Sequence, residues 1–429
     1  MTTGAKRKPR RVVAVVLDGM RRDLVSPLDT PTLMALRQRG TWFNAHRSVF
    51  PSSTRVVSSS FATGCYPLRH GLAGNSVCLL DEGRLVLHDV GKPAFLDDKR
   101  RLTGTVLNKP TLAEFLAERG GAIIFNNVSP GAAYMHDPDG HGHVYHRERS
   151  YGPGRVPLEG DCELRVAKGI AGDCDAARRF IAEVVVDRQP AFALLWLSEP
   201  DCVQHMAPLG SPRHREILKQ VDGIVADVLA AVDACREAGD DILFLVCSDH
   251  GHETVRANVD VAHELVGAGL KGARDSDDVV VAPNGTAALI YVADAARERL
   301  PAIAAFLSKA SWCGACYSED RLHEVGLPAG GGLAFAVSMS CDDGANEFGV
   351  PGSSYNAQPP TPANNWIGMG MHGGLGPHEQ APFMILEGTG FAAGAEIEAS
   401  TSAVDVAPTI LQFLECPVDE VDGRRLQQD

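Results

Sequence analysis

Seven short apolar runs recur along the chain, each bounded by glycine, proline or polar residues. They comprise residues 11–17, 121–125, 191–197, 242–247, 286–292, 333–338 and 382–386. These runs lack the apolar–polar alternation of a strand that has one face in water. They therefore predict strands that are covered on both faces by helices, as in a mostly parallel sheet.

Helical patterns lie between several of these runs. They comprise residues 32–39, 111–119, 175–187, 211–237 and 404–414. The second begins with Thr111 and has Glu114 three residues later, the pattern of a capping box, in which the threonine hydroxyl accepts a bond from a backbone N–H. Strands that alternate with helices predict an α/β sandwich.

The same pattern divides the chain of 429 residues into a core and an insertion. Residues 1–10 are basic and predict a disordered tail. We predict that residues 11–262 form the first part of the core and that residues 366–429 complete it. Residues 263–365 begin and end in loop-like sequence and predict a smaller inserted cap. Residues 129–160 lack periodicity and predict a long loop over the site.

Charge and composition restrict the partners and the compartment. The net charge of -14 and the isoelectric point near 5.5 argue against a nucleic-acid polymer or an anionic membrane surface as a partner. The apolar run that follows the basic residues is only six residues long, whereas a signal peptide needs about 7–15. No stretch approaches the ~20 apolar residues of a membrane-spanning helix. With eleven cysteines that lack a disulfide spacing, these observations predict a cytoplasmic protein; a homodimer is left open.

Acidic residues and histidines follow three of the predicted strands. Asp18 follows the first, Asp201 the strand at 191–197, and Asp249 with His250 the strand at 242–247. Because ligands bind at the carboxyl ends of the strands in open α/β sheets, we expect these side chains to converge on one edge.

Two further histidines have spacings that suit metal ligands. His205 comes four residues after Asp201, which places both side chains on one face of a helical turn. His372 is followed by two glycines, in a loop whose backbone can approach an ion closely. Each motif alone is more often a turn or a helix cap, but all of them together predict a site for two divalent ions. Mixed aspartate and histidine ligands suit Zn²⁺, with Mn²⁺ or Fe as alternatives.

Thr54 precedes an apolar, serine-rich stretch at residues 56–62. The simplest prediction is that Thr54 caps a helix there. The same position suits a nucleophile, because a helix N-terminus stabilises anions through its free amides and its dipole.

In their order along the chain, these motifs resemble the alkaline phosphatase superfamily, and within it the nucleotide pyrophosphatase/phosphodiesterase and phosphonoacetate hydrolase branch. The matching blocks are residues 15–23 (VVLDGMRRD), 30–33 (TPTL), 49–54 (VFPSST), 63–72 (TGCYPLRHGL), 201–205 (DCVQH), 248–251 (SDHG), 372–374 (HGG) and 405–410 (DVAPTI). The resemblance covers nearly the whole chain. It implies an alkaline-phosphatase-like α/β/α sandwich with a mostly parallel central sheet and an inserted cap.

The resemblance also implies a set of roles. One metal would be held by Asp201, His205 and His372, and the second by Asp18, Asp249, His250 and the oxygen of Thr54. Thr54 would attack phosphorus as an alkoxide, and a covalent phospho-threonine would then be hydrolysed by water. Asn75 matches the asparagine that binds a non-bridging phosphoryl oxygen, with the backbone N–H after Thr54 as a second donor.

The substrate stays open at this point. The first hypothesis is a hydrolase of phosphodiester or nucleotide pyrophosphate bonds. The alternative is a hydrolase of a small phosphonate, by carbon–phosphorus cleavage, or of a phosphomonoester. The lysine pair that holds the carboxylate in phosphonoacetate hydrolases has no match at residues 125–130, which argues against phosphonoacetate itself. A third hypothesis, a non-catalytic member that only binds a ligand, is disfavoured by the complete set of ligands.

Four residues are candidates for contacts with this small phosphorus-containing substrate. Arg55 directly follows the candidate nucleophile and could pair with an anionic oxygen. His141, His143 and Tyr145 lie in a histidine-rich segment, residues 136–146, that would act as a lid. The competing interpretations are a surface charge for Arg55 and a solvated, irregular loop for the segment.

Overall fold

A ten-stranded sheet, here called the core sheet, organises the fold in the computed structural model, which describes residues 10–360 and 365–427. Its strands in spatial order are Ala395–Ile397, Thr41–Phe43, Met384–Glu387, Asp241–Cys247, Arg10–Leu17, Phe192–Leu197, Ala122–Asn126, His143–Tyr145, Tyr151–Gly152 and Val156–Pro157. The five central strands, Asp241–Cys247 to His143–Tyr145, pair in parallel. The predicted basic tail lies outside the described residues, apart from Arg10, which begins the first strand.

Both faces of the core sheet are buried. Along the strand Arg10–Leu17, Val12, Ala14 and Val16 point into one apolar cluster, and the alternate residues Val13, Val15 and Leu17 point into another. This explains why the strand reads as a continuous apolar run. Helices cover each face, with Phe61 and Ile410 on one side and Leu36 and Leu218 on the other. The predicted α/β/α sandwich with a mostly parallel sheet is confirmed.

Twelve α-helices lie in the described residues. They are Pro31–Arg39, Thr54–Thr63, Pro67–His70, Phe95–Thr103, Leu112–Leu116, Pro130–Tyr134, Ile170–Arg179, Asp201–Gln204, Pro212–Glu237, Val261–Gly267, Leu300–Leu307 and Val406–Phe413. Side-chain caps begin several of them, as in Thr111, which accepts a bond from the backbone N–H of Glu114. The helix Ile170–Arg179 continues as a π-helix to Arg188.

A second, smaller sheet lies within the predicted cap. Its strands in spatial order are Val279–Pro283, Ala287–Val292, Leu333–Met339 and Cys313–Ser318. It has its own apolar cluster, to which Val261–Gly267 and Leu300–Leu307 contribute. A third sheet pairs Glu253–Asn258 with Ser353–Asn356 and Gly370–Met371, so strands join residues on both sides of the limits at 262 and 366. The domain boundaries therefore stay a prediction.

Two short two-stranded sheets complete the described structure: His46–Arg47 with Thr401–Ser402, and Ser76–Asp81 with Arg84–Asp89. The segment predicted as a long loop, residues 129–160, contains the helix Pro130–Tyr134 and three short strands that extend the core sheet. No helix in the described parts of the chain has the length and apolar character needed to cross a membrane.

Candidate active site

Three aspartates converge at the carboxyl ends of the central strands, as the sequence predicts. Asp18, Asp201 and Asp249 follow neighbouring parallel strands, and all three are buried. The backbone N–H of Asp201 donates to the carbonyl of Asp18 at 3.0 Å, and the N–H of Gly19 donates to Asp249 Oδ1 at 3.0 Å. The strand ends are therefore tied directly to each other.

The first group of donors surrounds Asp201. Its Oδ1 lies 3.2 Å from His205 Nε2 and 3.5 Å from His372 Nε2. An ion at about 2.0–2.1 Å from each of four tetrahedral ligands separates those ligands by about 3.3 Å, so each of these two distances to Asp201 fits a shared ion. The donor atoms of Asp201, His372, His250 and His252 also all lie within 4.8 Å of one another. The Nδ1 atoms of His205 and His372 bond to the carbonyls of Gly370 and Ser52, which leaves both Nε2 atoms facing Asp201.

His252 belongs to this group, although the sequence analysis did not select it. It is fully buried, and its Nε2 lies 3.0 Å from Asp201 Oδ1. His252 stands two residues after His250, and residues at that spacing in an extended segment point to the same side. That spacing is the signal that would have identified it.

The second group of donors surrounds His250 Nε2. This atom lies 3.2 Å from Asp249 Oδ2, 3.4 Å from Asp18 Oδ1 and 3.1 Å from Thr54 Oγ1. Asp249 Oδ2 is buried without a hydrogen-bond partner, and Trp196 Nε1 orients Asp18 by donating to its Oδ2 at 3.1 Å. Three oxygens and one imidazole nitrogen at these separations also fit a divalent ion.

The titration of these groups follows from their burial. Burial raises the pKa of Asp249 to about 8, and it raises the pKa of Asp18 well above its usual range, with further contributions from the carboxylates of Asp249 and Asp201. Burial lowers the pKa of His250 to about 4 and that of His252 to about 3. Without a cation, the protein therefore disfavours the ionised form of Asp18 and Asp249. Bound cations would offset the free-energy cost of burying these negative charges together.

Asp201 differs from the other two aspartates. Burial acts to raise its pKa, but the charge and hydrogen bond of His205 and the hydrogen bond of His252 hold it well below its usual range. Asp201 is therefore the carboxylate that ionises most readily.

Thr54 is the first residue of the helix Thr54–Thr63, and the N-cap is Ser53. The prediction that Thr54 itself caps the helix is thus wrong by one residue. The difference has a chemical consequence, because the hydroxyl is not used for capping. Thr54 Oγ1 instead faces His250 and lies 3.5 Å from Asp18 Oδ1.

Asn75 and Arg55 flank Thr54. Asn75 Oδ1 accepts a bond of 3.1 Å from the backbone N–H of Arg55. That N–H, expected to contact the phosphoryl group, is therefore already occupied. The bond fixes the amide orientation of Asn75, whose Nδ2 donates to no protein atom within the described residues. The Arg55 guanidinium donates one hydrogen bond of 3.3 Å to Ser129 Oγ and another of 3.4 Å to the Asn75 carbonyl.

An open cleft of about 450 Å³ lies beside Thr54. Its walls include Arg55 and Asn75 from the core, the metal-ligand candidates His205 and His372, and Asn284 and Trp366 from the other side. The cleft is larger than one phosphoryl group needs, so it has room for a second substituent on phosphorus.

The family model for type I phosphodiesterase/nucleotide pyrophosphatase matches residues 12–310, most of the chain. The chain belongs to this family. This phosphodiesterase is accordingly a hydrolase of phosphodiester bonds, and the resemblance drawn from its motifs is confirmed. No curated protein sequence matches it.

Three solved structures share the fold of this phosphodiesterase. One is murine ectonucleotide pyrophosphatase/phosphodiesterase 5, as an inactive threonine-to-alanine variant in complex with AMP, with a TM-score of 0.70 and 16% identity. A second structure of the murine protein has a TM-score of 0.69 at 17% identity, and the human protein has 0.67 at 15%. Each similarity covers 96% of this chain and 97% of the other. The alkaline-phosphatase-like fold is confirmed.

Three of the predicted substrate contacts lie away from Thr54. His141 and His143 line a separate pocket together with Gly120 and Pro190. Gly120 precedes the strand Ala122–Asn126, and Pro190 precedes the strand Phe192–Leu197. That pocket is therefore at the amino-terminal edge of the core sheet, opposite Asp18 and Asp201. Tyr145 stacks on Phe125 with ring centroids 4.4 Å apart, inside the core. The structure does not bring these three residues to Thr54.

Proposed function

We propose that this phosphodiesterase hydrolyses phosphodiester or nucleotide pyrophosphate bonds through a covalent phospho-threonine at Thr54. The observation that carries the proposal is the position of Thr54 Oγ1, which lies 3.1 Å from His250 Nε2 and 3.5 Å from Asp18 Oδ1. Thr54 is also the first residue of a ten-residue helix, and the dipole at the helix N-terminus stabilises a bound anion.

Two divalent ions, with Zn²⁺ first and Mn²⁺ or Fe as alternatives, are part of the proposal. Asp201, His205 and His372 would hold one ion; Asp18, Asp249, His250 and Thr54 Oγ1 would hold the other. His252 is a positioning residue that orients Asp201. When bound, the ions supply Lewis-acid stabilisation of the charge that develops on the phosphoryl group.

The remaining chemistry belongs to the protein's own residues. Thr54 Oγ1 gives its proton to solvent and attacks phosphorus, so that the Oγ1–P bond forms while the bond from phosphorus to the leaving oxygen breaks, and the leaving oxygen takes a proton from solvent. Asn75 Nδ2 donates to a non-bridging phosphoryl oxygen, held in orientation by the N–H of Arg55. Water then attacks the phospho-threonine, which releases the second product and restores the hydroxyl.

A nucleotide is the first substrate class to test. The AMP complex of the murine relative supports it, because that protein shares the fold over nearly its whole length. Trp366 lines the cleft of this chain and offers a ring on which a planar substituent can stack.

A specific observation favours a second candidate, a small phosphonate or phosphomonoester. Arg55 lines the cleft, and its nearest acid, Asp89, lies 3.6 Å away with about half of its side chain exposed. Water screens that ion pair, so the guanidinium keeps most of its attraction for a substrate that carries a second negative charge.

Two matched substrates test the proposal. Protein reconstituted with Zn²⁺ or Mn²⁺ would be assayed on bis-p-nitrophenyl phosphate and p-nitrophenyl phosphate. Preference for the diester is the expected result, and preference for the monoester would favour the second candidate. Activity on neither, with two metals bound, would contradict phosphate ester hydrolysis and favour carbon–phosphorus cleavage.

The setting of the reaction is also a proposal. A free small-molecule substrate suits a cleft of about 450 Å³ better than a polymer does. We place the enzyme in the cytoplasm because its eleven cysteines are all free thiols.

A further inference from the structure

We propose that a hairpin turn in the small sheet positions Asn75 and His372 together, and so sets the phosphoryl site relative to the metal site. The turn, here called the positioning turn, consists of residues 283–286 and joins the strands Val279–Pro283 and Ala287–Val292. The inference rests on the roles proposed above for Asn75 and His372.

The first arm of the positioning turn is the side chain of Asn284, which is almost fully buried. Its Oδ1 accepts from the backbone N–H of Asn75 at 2.6 Å and from that of Ser76 at 3.1 Å. Its Nδ2 donates to the carbonyl of Ser76 at 3.0 Å and to that of Ala282 at 3.1 Å. Both ends of the amide are thus engaged, and they hold the backbone from which the Asn75 side chain extends.

The second arm is Thr286, which reaches the loop of His372. The backbone N–H of Thr286 donates to the His372 carbonyl at 3.0 Å. Its hydroxyl accepts from the N–H of Gly374 at 2.8 Å and donates to Glu379 Oε2. His372 Nδ1 bonds in turn to the Ser52 carbonyl at 2.7 Å, two residues before the nucleophile.

Two glycines allow the turn and the His372 loop to touch. Gly285 has a φ of +68°, and a Cβ there would lie 1.9 Å from the His372 carbonyl oxygen. Gly373 has a φ of +132°, and a Cβ there would lie 1.8 Å from the Asn284 carbonyl oxygen. No side chain fits at either position, so glycine at both positions allows the turn and the loop to pack directly against each other.

The two arms lead to different expected effects. Asn284 acts on Asn75, which is a phosphoryl donor and not a metal ligand. Thr286 acts on His372, which is a metal ligand, and outer contacts of this kind typically change metal affinity by about 10- to 100-fold. A turn with a merely structural role would change metal affinity and phosphoryl binding together.

The test compares two variants with matched controls. Asn284→Ala should retain two Zn²⁺ ions but bind orthovanadate, a phosphoryl analogue, at least about 10-fold more weakly. His46→Ala truncates another buried polar side chain, bonded to Thr401 and not among the residues that line the cleft, and should leave orthovanadate affinity unchanged. Thr286→Val removes the hydroxyl bonds to Gly374 and Glu379 but keeps the backbone bond to the His372 carbonyl, and it should weaken one of the two ions by about 10-fold. Thr286→Ser keeps the hydroxyl and should restore that affinity.

The measurements are metal content by mass spectrometry, Zn²⁺ affinity by chelator competition, and orthovanadate affinity by calorimetry on metal-saturated protein. Wild-type affinity for orthovanadate in Asn284→Ala would overturn the proposal, as would a parallel loss of metal and orthovanadate in both variants. Wild-type protein that hydrolyses neither nitrophenyl substrate would refute the proposed function. The orthovanadate and Zn²⁺ affinities of the variants would still test the role of the positioning turn, because binding does not require turnover. Metal-loaded wild type that binds no orthovanadate would overturn both.

Discussion

His252 offers a direct test of how the first metal is held. Its Nε2 lies 3.0 Å from Asp201 Oδ1, and the side chain has no exposed surface. A buried hydrogen bond to a charged group contributes about 1.5–3 kcal/mol. Since about 1.4 kcal/mol corresponds to a tenfold change in an equilibrium constant, His252→Leu should weaken one metal by about 10- to 100-fold.

The substitution has two matched controls. His252→Gln keeps an N–H donor near the position of Nε2 and should lie within a few fold of wild type. His46→Leu removes an equally buried imidazole that bonds to Thr401 at 3.0 Å, outside the site, and should leave metal affinity unchanged. The assay is competition with a chromogenic chelator for Zn²⁺, followed by a count of the ions that remain bound.

Four outcomes separate the explanations for His252. A selective loss of affinity in His252→Leu, restored in His252→Gln, supports the positioning role. Equal weakening in both variants would mean that packing, not the hydrogen bond, matters. Loss of one full equivalent at saturating Zn²⁺ would make His252 a ligand, and wild-type affinity in His252→Leu would refute the reasoning altogether.

Three further predictions concern the same site. Thr54→Ala should abolish hydrolysis of bis-p-nitrophenyl phosphate while metal content measured by mass spectrometry stays nearly unchanged; substantial residual turnover would mean that another group is the nucleophile. His205→Ala and His372→Ala should each release one equivalent of metal on dialysis, and retention of two ions by both variants would contradict the ligand sets. In the metal-free protein the pKa of Asp249 is about 8, so its carboxyl holds a proton at pH 7 that metal binding must displace. Metal affinity should therefore rise with pH until about pH 8, and calorimetry at pH 7 in two buffers of different ionisation enthalpy should detect the released proton; buffer-independent heats would refute this assignment.

Much of the fold was predictable because the central strands are buried on both faces. The strand predicted at 191–197 agrees with the observed strand Phe192–Leu197 to within a residue, since burial on both faces requires an unbroken apolar run. Asp18, Asp201 and Asp249 were predictable for a related reason. They directly follow such runs, and parallel strands bring their carboxyl ends to one edge.

Other features depend on tertiary contacts that a local pattern does not carry. Residues 143–145 were predicted to lie in a lid, yet they form a short strand that pairs in parallel with Ala122–Asn126 within the core sheet. Three residues are too few for a periodic signal. Likewise, an Asn-Gly pair at 284–285 predicts a hairpin turn. It does not reveal that the asparagine amide will bond to the backbone of Asn75, about two hundred positions earlier.

The central position of the strand Arg10–Leu17 in the core sheet affects how the chain folds during its synthesis. Val12 pairs with Phe192, 180 residues later, and Arg10–Leu17 also pairs with Asp241–Cys247. At about 5–20 residues per second, a ribosome needs roughly 10 to 35 seconds to supply the first partner. During that interval an apolar strand with two unpaired edges would invite association with other chains. The first strand therefore stays unpaired while the next 180 residues are made, and the candidate metal ligands come together only after His372 has emerged.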